Sequence, residues 1–283
     1  EIIFMVSIIL FCDVLWSIHM IILRSNENSL AFSSFSLFNV VLTIALNIYF
    51  VMLYKQGVIG VIKSNMIASA ILFVSTFYAI TPYFSIKLFS IDELKKMLRF
   101  GIPFLPAGIF SMILELSDRY LLKYLTTIET VGVYSAGYKL GMLMLLIVMG
   151  FNMGWQPFFL RKSKKERHYI AKVATYLLFI MGFIWLLLVV WINDFVRIPF
   201  GDNTILGEYY WESVKIVPFI AGAYVFHGLY LVQLPGLFIK EKSIYIAYIR
   251  GFGALLNIIL NILLIPSHGI LGAAFATFCA FVF

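Results

Sequence analysis

Long apolar runs alternate with short polar interruptions along the whole chain, and the strict two-residue alternation of a half-buried strand is missing. Nine runs stand out, at about 1–23, 33–54, 58–80, 101–123, 131–153, 170–192, 211–238, 244–265 and from 270 onward. Each approaches the ~20 residues that carry an α-helix across a bilayer. Helices satisfy that much backbone in lipid by themselves, whereas barrel strands would show the alternation these runs lack. The pattern predicts an all-α polytopic membrane protein with about nine helices.

Composition adds exclusions. Of 283 residues, 62% are hydrophobic and 12% charged, against about 25% charged in a soluble domain, so little remains for a large extramembrane catalytic domain. The chain opens on Glu1 inside one apolar run and ends at Phe283 inside another. It reads as a fragment, and a missing signal peptide carries no weight. Cys12 and Cys279 sit in apolar runs and read as small buried hydrophobes rather than a disulfide or metal pair. A net charge of +7 would suggest nucleic acid in a soluble protein. Here it lies in short loops and reports orientation, with no nucleic-acid partner expected.

The loop after the fifth run holds Arg161, Lys162, Lys164, Lys165 and Arg167 against Glu166, which marks it as cytoplasmic. The loop after the sixth holds Asp194, Asp202 and Glu208 against Arg197 and is expected outside. Alternation then places 86–99 and 240–242 in the cytoplasm. Within 90–99, Ser90 and Glu93 form a capping-box pattern, and Ile91, Leu94 and Leu98 share one face. This predicts either a surface helix linking two bundles or an extension of the fourth span.

An offset of 214 aligns Leu42 with Leu256, Asn47 with Asn261 and Glu27 with Glu241; after a slip of two, GVIG at 57–60 aligns with GILG at 269–272. Both copies run in the same direction, which implies a parallel repeat about an axis along the membrane normal. Residues 1–81 then form the second half of an N-terminal lobe with three helices, 82–99 a cytoplasmic amphipathic linker, and 100–283 a C-terminal lobe with six helices, the last truncated.

Polar residues inside the runs are the candidate chemistry, because an unpaired charge at midplane costs at least about 2.5–3.5 kcal/mol. Arg250, Asn257 and Asn261 share one helical face, as do their counterparts Ser36, Thr43 and Asn47. These stripes either face a wet surface between lobes or bond neighbouring helices. Glu115 and Arg119 are four apart and can pair, and Lys139 is at a depth to meet Asp118; the group either serves transport or locks two helices. Asp13 is a candidate cation or proton carrier. Pro103, Pro106, Gly108, Gly154, Pro157, Pro235 and Gly236 are expected to interrupt helices, with a helix start as the alternative for Pro103. The chain has no HExxH pattern, Walker A loop or GxSxG elbow, so neither an enzyme nor a bound metal or other cofactor is expected.

The segments FGIPFLPAGIF (100–110), SDRYLLKYL (117–125), VGVYSAGYKLG (131–141), FNMGWQPFF (151–159) and LLNIILNILLIPSHGILGAAFAT (255–277) together resemble a known family. It is the Wzx-type polysaccharide transport flippases of the multidrug/oligosaccharidyl-lipid/polysaccharide exporter superfamily. The resemblance implies two lobes of six helices, with helices missing here at the start. It also implies a basic cavity that moves a polyprenyl-pyrophosphate-linked sugar unit across the bacterial plasma membrane, with a polysaccharide polymerase as a partner beside the membrane lipids. Asp118, Arg119, Tyr120 and Lys139 lie in the recurring motifs, and Arg250 lies outside them. On this view Arg119, Lys139, Arg250, Asn47, Asn257 and Asn261 are expected to bind substrate. Asp13, Glu115 and Asp118 are expected to couple an ion or form ion pairs. A multidrug or cation antiporter of the same superfamily is an alternative that would want a carboxylate-dominated cavity. A membrane glycosyltransferase or polymerase would need a longer outer loop than 193–209.

Overall fold

The computed structural model describes residues 2–26, 28–81, 85, 89–161, 167–200 and 203–283. Glu1, Glu27, Lys162, Lys164, Lys165, Glu166, Asp202 and part of the 86–99 stretch, all used above, lie outside the described residues. The chain divides into two compact units, Glu1–Ser90 and Ile91–Phe283.

In the first unit α1 (Ile2–Ser25), α2 (Ser29–Asn47) and α3 (Gly57–Ile80) follow one another. The Asn28 side chain accepts the Ala31 N–H and so caps the start of α2. A π-helical turn, Ile48–Leu53, extends α2. Large apolar side chains cover the outside of these helices, among them Ile3, Phe4, Leu30 and Val58, as suits helices solvated by lipid.

The second unit opens with α4 (Ile91–Gly101), an exposed helix carrying a Glu93–Lys96 ion pair at 2.7 Å. Two residues, Ile102 and Pro103, separate it from α5 (Phe104–Leu125), so the stretch is both amphipathic and nearly continuous with the next span. The fifth run becomes two helices, α6 (Ile128–Gly141) and α7 (Leu143–Arg161), bent by 40°. Next come α8 (Arg167–Val196), a hairpin pairing Pro199 with Thr204, a 3-10 helix (Glu208–Ile216), α9 (Val217–Ile239) and α10 (Ile244–Val282).

Among the described residues, seven helices are long and apolar enough to cross a membrane, and the bent α6–α7 pair makes an eighth crossing. The ninth comes from α10, which is broken at Gly269 (φ 53°, ψ −128°). Its limbs lie antiparallel: Asn257 Nδ2 reaches Thr277 Oγ1 at 3.4 Å, and a Cβ on Gly272 would lie 2.5 Å from the Leu264 carbonyl oxygen. Among the described residues, each of the nine apolar runs read from hydropathy is therefore helical, with α10 carrying the last two.

Most of the expected interruptions are absent: α5 runs through Pro106 and Gly108, α7 through Gly154 and α9 through Gly236. Helix α7 runs through Pro157 and α9 runs through Pro235, as helices in lipid tolerate when neighbours take up the freed backbone groups. Separately, the Trp155 indole N–H ties α7 to α9 through the Val232 carbonyl at 3.2 Å, and that of Trp185 ties α8 to α9 through the Pro218 carbonyl at 2.9 Å. The actual bend follows Gly141, where α6 is closely packed. Gly137 and Gly141 lie against the 3-10 helix and α9, where a Cβ would run into the Ser213 carbonyl and, at 2.6 Å, into Ile220.

Candidate functional site

Helices α5, α9 and both limbs of α10 surround a cavity of about 440 Å³ in the second unit. Helix α9 supplies Tyr224, His227, Tyr230 and Gln233, polar positions that all line the cavity. Ser111 and Glu115, one turn apart on α5, form the opposite wall. Arg250 comes from the first limb of α10 and is held from two sides. It donates to the Ser111 hydroxyl and, through Nε, to the Tyr230 hydroxyl at 3.4 Å, with its guanidinium 5.4 Å from the centre of the Tyr230 ring. His227 stacks on the same ring. Arg250 and Glu115, both singled out from sequence, thus share one concave surface.

Asp118 lies on α5, one turn beyond Glu115, and is fully buried. Its carboxylate accepts from the Tyr134 hydroxyl (2.6 Å), the Thr277 hydroxyl (2.8 Å) and the Asn261 amide (3.1 Å). Asn257 extends the network, its Oδ1 accepting from Asn261 (2.9 Å) and from the Ser117 hydroxyl (2.6 Å). Asn257 and Asn261 are both fully buried. They bond their neighbours rather than facing a wet surface, because Asp118 needs donors that lipid cannot supply.

Two further pairings differ from expectation. Among the described residues Asp118 forms no ion pair with Lys139, which is exposed on α6. Arg119 donates to the Glu115 backbone carbonyl at 2.6 Å rather than to its carboxylate, and its guanidinium stacks 4.4 Å over the Tyr138 ring. The Tyr138 hydroxyl is in turn 3.1 Å from that of Tyr224 on the cavity wall. Arg119 is thus linked to the wall through two tyrosines.

In the first unit a cavity of about 720 Å³ is lined by Asp13, Ser17, Asn39, Thr43, Asn65 and Ser69. The Thr43 hydroxyl donates to Asn39 Oδ1 at 3.2 Å. Asn47, the repeat counterpart of Asn261, is half-buried, and its Oδ1 has no hydrogen-bond partner.

Sequence reasoning missed Tyr134, Tyr138, Tyr224, His227, Tyr230, Gln233 and Thr277. A signal was present in the recurrence of polar positions along α9. No group of three or more histidines, cysteines or carboxylates able to hold a metal occurs among the described residues.

These features define a multi-pass, all-helical membrane protein with polar chemistry inside its spans. The chain belongs to the polysaccharide biosynthesis protein family, whose model matches residues 1–163. No curated protein matches it. Its fold is similar to the crystal structure of a mutant of the Vibrio cholerae MATE transporter VcmN, with a TM-score of 0.75 at 14% identity. The match covers 94% of this chain and 62% of the transporter, so the chain spans less than two thirds of that protein's length.

Proposed function

We propose that the protein is a transporter that moves polyprenyl-pyrophosphate-linked oligosaccharide units across the bacterial plasma membrane by alternating access, for surface polysaccharide synthesis. The observation that carries this reading is Arg250, a cation fixed by Ser111 and Tyr230 on the wall of a cavity rich in hydroxyl, amide and aromatic groups. A guanidinium matches phosphate oxygens with a fork of N–H donors. Tyrosine faces and a glutamine amide suit a sugar that is apolar on its faces and hydroxylated at its rim. The membrane potential favours the direction: outward movement of negative charge gains about 2.3 kcal/mol per charge per 100 mV. Family membership supports the same reading.

The test is surface polysaccharide in cells carrying the full-length gene. Arg250→Ala should abolish export at normal protein level, and Arg250→Lys should restore part of it. Unchanged export in Arg250→Ala would overturn the assignment. Glu115 on the same cavity favours a second reading, a cation or drug antiporter. Drug resistance that depends on Glu115, with normal polysaccharide, would select it.

A further inference from the structure

We propose that the pocket between the start of α6, the 3-10 helix and the break of α10 is a second binding site, for an uncharged sugar of the delivered glycan. The pocket has a volume of about 400 Å³ and brings together Glu129 and Thr130 of α6, Tyr209, Glu212 and Lys215 of the 3-10 helix, and His268 of α10. That volume falls in the ~300–1,000 Å³ range of small-molecule sites. On the orientation read from the basic loops, all three elements lie on the outer side, where a flipped sugar emerges. The origin of the sugar rests on the flippase reading, whereas the preference for a sugar comes from the pocket's own groups.

Hydrogen bonding around His268 decides which of its nitrogens is available. Ser267 has one hydroxyl proton, and it goes to the Leu264 carbonyl at 3.3 Å. Toward His268 Nδ1, 2.7 Å away, the same oxygen is then an acceptor, so Nδ1 carries the imidazole proton. Nε2 keeps its lone pair, on a residue that lines the pocket. Glu212 engages Lys215 through Oε1 at 3.0 Å. Its Oε2 and two of the three ammonium protons of Lys215 are left for a ligand. The Glu129 carboxylate adds further acceptors.

This balance of many acceptors and one strong donor selects the ligand. A phosphate or carboxylate would be set against two carboxylates, which rejects it by like charge. A metal ion would need converging ligands, and among the described residues no three histidines, cysteines or carboxylates are placed to converge. Sugar hydroxyls meet both demands, because each donates one hydrogen and accepts others. They can donate to Glu129, Glu212 and His268 and accept from Lys215. Tyr209 is exposed and offers a ring to the apolar C–H face of a pyranose. Because these side chains already bond water, binding exchanges one set of hydrogen bonds for another and is weak, as suits a site that passes its ligand on.

Saturation-transfer NMR on the full-length protein in nanodiscs tests the site apart from any transport assay. The probes are single repeat units and longer chains, cut by mild acid from the surface polysaccharide of the strain that carries the gene. Export is scored in cells, so a silent pocket beside normal, Arg250-dependent export would sink this site and leave the flippase reading standing. The wild type should bind single units. Tyr209→Ala and Glu212→Gln, both at exposed positions, should each weaken that binding at least tenfold, and Arg250→Ala should leave it in place. Binding of the longer chains alone would support the site with the growing polymer as its source. No transfer at millimolar sugar, an unchanged affinity in both pocket variants, or binding lost in Arg250→Ala but kept in both would each overturn the proposal.

Discussion

Gly57 and Gly269 share a positive φ, +54° and +53°, at equivalent points of two helical pairs. Three residues after each, a second glycine faces a carbonyl of the preceding helix, Gly60 facing Phe50 and Gly272 facing Leu264. Phe50 and Leu264 are themselves related by the offset of the sequence repeat. The duplicated GVIG and GILG motifs are thus one structural device used twice.

That device is sensitive to substitution. A side chain at φ near +55° costs about 1–2 kcal/mol, so Gly57→Ala and Gly269→Ala should each lower the melting temperature measurably. Gly272→Val should lower it more, because its Cβ has no room beside Leu264. Fluorescence-monitored size exclusion after a heat step checks all three.

Gly137→Ala and Gly141→Ala should each destabilise by about 1–3 kcal/mol, the usual cost of overpacking. Gly154→Ala is the control: a Cβ there meets nothing within 4 Å, and the melting point should stay within error of wild type.

The Tyr134–Asp118 bond is a separate test of the buried network. Tyr134→Phe removes one donor and should cost about 1–3 kcal/mol, as expected for a hydrogen bond to a charged acceptor. The same change in an Asp118→Asn background should cost less. An equal cost in both backgrounds would mean that the hydroxyl is not serving the carboxylate.

Among the basic residues, loss of polysaccharide export on replacement by Ala should rank Arg250 first, Arg119 second and Lys139 last. Arg250 lines the cavity, Arg119 acts on it through Tyr138 and Tyr224, and Lys139 is exposed on α6. A larger defect for Lys139→Ala than for Arg250→Ala would relocate the head-group site.

Orientation is checked by cysteine labelling after Cys12 and Cys279 are replaced. A cysteine at Arg197 should react with an impermeant maleimide on intact cells, and one at Lys242 only after permeabilisation.

Hydropathy was enough to read the helices, because lipid leaves the backbone no other solution. It erred where tertiary contact decides: next to the bend, Gly137 packs on Ser213 and Gly141 on Ile220, seventy-six and seventy-nine residues further on, and Pro157 and Pro235 are tolerated without interruption. Arg250 and Glu115 were legible as charges that must find a polar place in a membrane. Asn257 and Asn261 were legible as polar but not as buried, since their partners Asp118 and Thr277 lie on other helices. The tyrosines escaped because an aromatic in an apolar run looks like core until its hydroxyl is seen to have a partner.

The fold-back of α10 also bears on how the protein enters the bilayer. As a lone helix, its first limb would present the Asn257 and Asn261 amides to lipid. Paired with the second limb, Asn257 already has Thr277 beside it. The hairpin, rather than either limb, is therefore the smallest piece whose polar groups begin to be matched. Biogenesis should favour late lateral release of both limbs together, with Asp118 docking onto them afterwards.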